Sequence, residues 1–449
     1  MNNAARRVLN FVLLSFCIYF GLSLMLTVCG FDRLFFRNIN LLSEVFLKKT
    51  EKLSSKIQKK NSVPEKKEGP KSLELFEQGK KITSFSPDNT AIALPRLMQK
   101  LQELKSGEKK IIRIAYFGDS MIEGDLMTGT LRKLLQKSFG GAGVGFVPVR
   151  TPSSKFSLSV SSSASDWRTE SFKTKPKTDL FLSGYCYYPK LSDELKVYDR
   201  SVKDSQAILS KYLFTGLSEI EKSFQYNGEN IRIPENNRFN KSLLSVDKNH
   251  GLHLTAVSEN IPVFGVSIES EVGVIVDNFS FRGITGIELN QLKLDFLLEV
   301  AEKNQYDLIV FQYGVNMLFR PNDTGFSWYK KMFDPVLKKF KNCFPESEFL
   351  LISSADRAFR YNGVYGSAVG IVSLLKTQAE LAMDNKICFY NQFLSMGGRG
   401  SIVHWADSLP SLANKDYVHP NFRGAEKLAS FLFEAMMKDY NSYLKQTGK

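Results

Sequence analysis

A rhythm of apolar runs and amphipathic stretches constrains this 449-residue chain more than any other feature. Residues 111–117 (IIRIAYF) are rich in β-branched and aromatic side chains, which predicts a strand. The run stops at Gly118-Asp119-Ser120. The stretch 126–139 (LMTGTLRKLLQKSF) then places Leu126, Leu131, Leu134 and Leu135 near one face at helical spacing. A strand therefore turns sharply into a helix at a serine. The second half repeats the pattern, with strands expected at 307–312, 348–353 and 387–390 and helices at 326–341, 367–384 and 423–438. A further helix at 90–104 leads into the first strand. Such alternation predicts an α/β fold, a parallel sheet covered on both faces by helices.

Residues 151–271 break the rhythm. They are rich in Ser, Thr, Tyr, Phe and Asn, with short alternating runs such as 156–161 and 252–257. Only 202–217 shows helical periodicity. This predicts an inserted antiparallel β-sandwich. The expected organisation is a cytoplasmic tip and membrane segment (1–30), a juxtamembrane segment and charged linker (31–87), an α/β domain in two parts (88–150 and 272–449), and the insertion (151–271).

The N-terminus carries its own signal. Arg6 and Arg7 precede 22 uncharged residues, 8–29. At about 1.5 Å per residue this spans a bilayer core, and the positive-inside rule puts the rest of the chain outside. A single-pass anchor in a bacterial cytoplasmic membrane is the expectation. A cleaved signal peptide and a lipoprotein ending at Cys29 are the alternatives. Of the net charge of +14, six units sit in 48–71, where nine lysines face three glutamates. A run of this kind reads as a solvated linker. Without an RNP, helix-turn-helix or zinc-finger pattern, the basic balance does not point to nucleic acid. The five cysteines show no CxxC spacing, so neither zinc nor a redox motif is indicated. Cys186, Cys343 and Cys388 read as small buried residues. A Cys343–Cys388 disulfide is the alternative for a domain outside the cytoplasm.

A serine hydroxyl needs a base to take its proton and a third group to orient that base. The chain has four histidines, His250, His253, His404 and His419. Asp416 stands three residues before His419, so one turn can set its carboxylate against the imidazole Nδ1. A lone D-x-x-H or a lone GDS is weak, since Asp, Gly and Ser are ordinary capping and turn residues. The two gain weight with two further stretches, Gly283-Ile284-Thr285-Gly286 and Gln312-Tyr313-Gly314-Val315-Asn316, which each follow an apolar run.

In that order, the four stretches resemble blocks I, II, III and V of the SGNH/GDSL hydrolases, over about 210 residues (108–150 and 272–440). The resemblance implies a flavodoxin-like three-layer α/β/α domain. It implies Ser120 as nucleophile, His419 as base and Asp416 as its orienter. The Ser120 N–H, the Gly286 N–H and the Asn316 side chain are the implied oxyanion donors. Block III usually ends in Asp, where this chain has Met317. The G-x-S-x-G of α/β-hydrolases is missing. With a β-rich module between blocks I and II, the chain is similar to the peptidoglycan O-acetylesterase branch. That implies removal of an acyl group, an O-acetyl, from an envelope glycan, with no cofactor and no metal. An O-acyltransferase using the same residues and a non-catalytic envelope-binding protein are the alternatives.

Other residues carry weaker signals. Trp167, Tyr185, Tyr187, Tyr188 and Tyr226 either stack on sugar rings or, the favoured reading, fill the core of the insertion. Arg320, Arg357 and Arg360 follow strand ends, where open α/β sheets bind ligands, and holding an anionic substrate group is one reading of them, with surface salt bridges the default. Asp119 is expected to hold the serine turn, with a second acid as the alternative, and Glu123 and Asp125 to suit the positive start of the helix. His404 is read as a structural histidine, with a place in the cleft beside Trp405 as the alternative.

Overall fold

The computed structural model describes residues 79–85, 92–174, 176 and 178–448, with a few isolated positions between 10 and 18. The chain divides into two units, Met1–Gly69 and Pro70–Lys449; the elements below belong to the second. The expected anchor at 8–29 (but for those positions) and the charged linker at 48–71 lie outside the described residues. Among the described residues no helix is long and apolar enough to cross a membrane.

In chain order, β1 (Ile82–Thr83) and α1 (Pro95–Ser106) lead into β2 (Ile111–Gly118), and α2 (Leu126–Phe139) follows the serine turn. Eleven strands come next: β3 (Gly145–Pro148), β4 (Val160–Ala164), β5 (Arg168–Ser171), β6 (Tyr185–Tyr188), β7 (Glu194–Asp199), β8 (Leu209–Thr215), β9 (Lys222–Tyr226), β10 (Glu229–Ile233), β11 (Asn240–Asp247), β12 (Gly251–Ala256) and β13 (Val263–Glu269). The alternation resumes with β14 (Gly273–Ser280), α3 (Leu294–Lys303), β15 (Leu308–Gln312), α4 (Ser327–Cys343) and β16 (Glu348–Ile352). A hairpin, β17 (Ala358–Tyr361) and β18 (Val364–Ser367), precedes α5 (Ile371–Asp384) and β19 (Cys388–Tyr390). The short α6 (Gln392–Met396) and α7 (Ser401–Asp407) lead to α8 (Phe422–Thr447).

The main sheet runs β1-β19-β16-β15-β2-β14, parallel except for the edge strand β1. Without that edge strand, its order is the flavodoxin-like 2-1-3-4-5. Its strands are buried on both faces, as parallel strands must be. Ile112, Ile114 and Tyr116 of β2 pack into one apolar cluster with α1, α2 and α8. Ala115 and Phe117 pack into the other, with α3, α4 and α5. The result is three layers.

Several boundaries differ from the sequence reading. α1 begins at Pro95, whose fixed φ and missing N–H suit a first helical position. α5 begins four residues later than expected because 358–367 forms the hairpin, turned at Asn362 and Gly363 with φ of 48° and 88°. Residues 209–215, inside the stretch with helical periodicity, form β8. It pairs with both β11 and β13, so tertiary pairing overrides the local pattern.

The eleven-strand region forms two antiparallel sheets. One runs β10-β9-β12-β7-β4, and the other β11-β8-β13-β6-β5, with β3 also on β13. The pairing of β3 means that the antiparallel region starts before residue 151. Trp167, Tyr185, Tyr187, Tyr188 and Tyr226 are all buried and belong to the apolar core, which settles them as packing residues. That core does not stop at the insertion. Phe279 of β14 lies 5.0 Å from Phe117, 5.4 Å from Phe146 and 5.7 Å from Phe181, measured between ring centroids.

A buried charge network crosses the same junction. Arg113 of β2 donates from Nη2 to Glu269 of β13 at 2.7 Å and from Nη1 to Asp277 of β14 at 3.3 Å. Lys241 of β11 reaches Glu269 at 3.0 Å, and the Tyr306 hydroxyl donates to Asp277 at 3.0 Å. Burial alone would raise the Glu269 carboxyl; Arg113 and Lys241 outweigh it and hold it down to about 2. Cys343 and Cys388 are separate buried free thiols, which corrects the disulfide alternative.

Candidate active site

Register brings the site together. On β2, Gly118 pairs with Ser280 of β14 on one side and with Gln312 of β15 on the other. Three loops therefore leave the sheet at one carboxyl-terminal edge: the Ser120 turn, the 281–286 loop and the 313–316 loop. This is also the topological switch point, where open α/β sheets bind ligands. Gly118 is needed for the fit. A Cβ there would meet Ile122 at 2.9 Å and the Gln312 carbonyl at 3.1 Å.

The histidine comes from a different part of the chain. The loop before α8 is closed by the Asn414 N–H donating to the His419 carbonyl at 2.9 Å, and Tyr417 takes a left-handed φ of 55° at its turn. His419 Nε2 lies 2.8 Å from Ser120 Oγ, and His419 Nδ1 lies 2.7 Å from Asp416 Oδ2. The other Asp416 oxygen accepts from the Val418 and His419 backbone N–H groups at 3.0 Å each. Burial pushes the Asp416 carboxyl up, but the hydrogen bonds from the His419 backbone and ring and from Val418 win, and it sits below the usual carboxylate range. An ionised Asp416 keeps the proton on Nδ1 and leaves Nε2 to accept from Ser120.

Asp119 does more than hold the turn. Its Oδ1 accepts from the Met121 N–H at 2.9 Å, and its Oδ2 from Asn316 Nδ2 at 3.0 Å. Burial pushes its carboxyl up to about 7 despite those two hydrogen bonds. Asn316 Nδ2 also donates to the Ile284 carbonyl at 2.9 Å. The carboxamide is thus oriented by the turn and the 281–286 loop, and must trade one of these bonds to meet an oxyanion. Among the described residues, neither the Ser120 nor the Gly286 backbone N–H donates to a protein acceptor. Gly286 has φ 90°, and a Cβ there would meet the Tyr313 ring at 2.6 Å and the Phe333 ring at 2.8 Å. Only glycine leaves its N–H free at that place. Met317, which replaces the block III Asp, is buried in the core.

The hairpin β17–β18 is the part that sequence reasoning missed. The Ala358 N–H donates to the Tyr417 carbonyl at 3.0 Å, and Tyr365 stacks on Tyr417 at 4.0 Å. Tyr361 Oη donates to the Pro321 carbonyl at 2.6 Å. The hairpin therefore straps the histidine loop to the loop that follows Asn316. The Asn-Gly pair at 362–363, a hairpin turn signal, was the available clue. The remaining candidates have local partners. Asp125 pairs with Arg132 at 2.6 Å, Glu123 with Arg282, and Arg360 with the Gly363 carbonyl at 3.0 Å. Arg320 lies over the Phe319 ring. His404 is exposed on α7.

No family model matches the chain, and no curated protein does. Among solved structures, that of a peptidoglycan O-acetylesterase superposes with a TM-score of 0.67 and 20% identity, over 80% of this chain and 99% of that one. An acetyl xylan esterase gives a TM-score of 0.28 at 19% identity, covering 36% of this chain and 81% of its own. A family two carbohydrate esterase from Cellvibrio japonicus gives 0.27 at 11%, covering 64% and 99%. The first likeness shows a shared fold: this chain has the SGNH hydrolase fold of that O-acetylesterase.

Proposed function

We propose that this protein is a serine esterase that removes an acyl group, an O-acetyl, from a cell-envelope glycan such as peptidoglycan. The observation that carries the reading is the line from Ser120 Oγ through His419 to Asp416, with contacts of 2.8 and 2.7 Å. Those are the distances a general base needs at its nucleophile and at its orienting carboxylate. Ser120 Oγ attacks the ester carbonyl while His419 Nε2 takes its proton. Asp416 stabilises the imidazolium. The oxyanion is met by the Ser120 and Gly286 N–H groups, each worth several kcal/mol where charge develops. The Asn316 carboxamide joins once it leaves Ile284. His419 then returns the proton to the leaving sugar hydroxyl, and water, activated by the same base, releases the acid.

The choice of an acetylated envelope glycan is supported by the fold shared with a peptidoglycan O-acetylesterase. It is also supported by the uncharged N-terminal stretch 8–29, which suits an anchor, with the charged 48–71 as a tether reaching from the membrane. The test is acetate release by purified protein from O-acetylated peptidoglycan and from 4-nitrophenyl acetate. Unchanged release by Ser120→Ala overturns the esterase reading at this site. Acetyl transfer to a glycan hydroxyl that outpaces acetate release replaces the hydrolase with an acyltransferase.

A further inference from the structure

Three arginines of the second unit are drawn into its interior, and one lacks what the other two have. Arg113 faces Glu269 and Asp277, and Arg132 faces Asp125. Arg357 is half-buried and belongs to no ion pair among the described residues; Asp416 attracts it only from beyond pairing distance. The one hydrogen bond of its guanidinium among the described residues runs from Nη1 to the Val315 carbonyl at 2.7 Å. Its Nε is shut off from solvent without a partner, and the guanidinium lies 4.8 Å from the centre of the Phe359 ring. Burial works against its charge and lowers its proton affinity.

A guanidinium stays charged, and holding it away from water without a counter-ion is costly. Folded proteins keep few such groups, and those they keep call for a reason. The position supplies one. Arg357 sits between β16 and β17 at the carboxyl edge of the sheet. It holds the residue before Asn316 and lies within reach of the field of Asp416. Nη2 and Nε have no acceptor among the described residues. Nε is covered, but Nη2 is not, and its N–H groups on a fixed planar cation can donate to a carboxylate.

We infer that Arg357 receives a carboxylate of the glycan whose ester Ser120 attacks. The inference rests on the esterase reading and narrows the envelope glycan to one that carries carboxylates close to its acyl esters. Nη2 meets the carboxylate first, since Nε is covered. The competing role is purely structural, with Arg357 holding Val315 and thereby Asn316.

Binding to the full-length Ser120→Ala protein separates these roles without depending on turnover. The probes are an oligogalacturonate and the same oligomer with its carboxylates methyl-esterified. The charged oligomer is expected to bind about tenfold more tightly at low salt, with the preference shrinking as salt rises. Adding Arg357→Gln is expected to bring the charged oligomer down to the level of the neutral one, while the neutral oligomer is unaffected. Arg357→Lys is expected to keep part of the preference. Equal binding of the two oligomers, or a preference that survives Arg357→Gln, overturns the inference. So does an equal weakening of both oligomers, which assigns Arg357 to holding Val315. Acetate release by the unsubstituted protein is scored separately. A protein that binds the charged oligomer but cleaves no ester refutes the esterase reading and leaves the anion site standing.

Discussion

The parallel sheet and the two antiparallel sheets use their side chains in opposite ways. In the parallel sheet, the strands spend their apolar residues on two helical layers. The groups left over for chemistry sit where the strands end, at Ser120, Gly286 and Asn316. In the antiparallel sheets, Trp167 and four of the tyrosines are turned inward, while Tyr198 of β7 stays exposed. Antiparallel sheets of this kind bury the inner faces of both layers against one another, so large rings are consumed by the core. The two regions also lack a clean border, because Phe279, Arg113 and Glu269 tie one to the other. The lesson is a division of labour within one cooperative body. Substitutions at the strand ends should cost activity, and substitutions at the junction should cost stability.

The largest expected effect is at Ser120, the proposed nucleophile. Ser120→Ala should lower kcat/KM by about three orders of magnitude or more while leaving the melting temperature in place. A large drop in melting temperature would break the division, since it would make the serine turn a structural element. Next, Glu269→Ala takes the carboxylate from half-buried Lys241 and leaves buried Arg113 with Asp277 alone, at about 3–5 kcal/mol of stability. Denaturant unfolding followed by two probes should still show one transition. Two separate transitions would mean that the insertion folds by itself, against the shared core.

Gly286→Ala sets a Cβ against the Tyr313 ring at 2.6 Å in a left-handed conformation. The 281–286 loop must shift, and the N–H leaves its place. A loss of about 100-fold in kcat is expected, with KM nearly constant. A change confined to KM would place Gly286 in binding instead.

The smallest effect concerns Asp119, whose carboxyl is pushed up to about 7 by burial. A carboxyl raised above its unfolded value near 3.8 favours the folded state most when protonated. Its contribution is present at low pH and fades as pH rises through about 7. Asp119→Asn cannot ionise, so its melting temperature relative to the unsubstituted protein should be higher at pH 8 than at pH 5. A difference that does not change with pH would show that Asp119 is ionised throughout. Activity should fall modestly, because the carboxamide that replaces the Asp119 carboxyl can still accept from Asn316.

Much of this was legible before any coordinates. The sheet announced itself through strands such as 111–117, buried on both faces and therefore nearly all apolar. Residues 126–139 match α2 end to end, because its stripe is not interrupted by Gly or Pro at a critical place. Ser120, Asp416 and His419 were readable because their spacing is local or follows a strand end. The hairpin after β16 was not, although Asn362-Gly363 was in view, because its two four-residue strands lie mostly off the core and carry little apolar alternation. β8 was misread because seven residues with partners on both sides obey those partners rather than their own periodicity.

By itself, the amino-acid sequence determined the alternation of strands and helices that calls for a covered parallel sheet, and the types of group available for chemistry. Periodicity and turn chemistry are local properties, carried by neighbouring residues. Only the tertiary structure decided which of those groups meet. It decided that Asn316 is held by Asp119 and Ile284 before any substrate arrives, and that Trp167, Tyr185, Tyr187, Tyr188 and Tyr226 are core. It also decided that Arg357 is half-buried at the sheet edge with no ion-pair partner among the described residues. Each of these depends on atoms far apart in the chain, brought within hydrogen-bond or Coulomb range by register and packing, and no local pattern encodes such a distance.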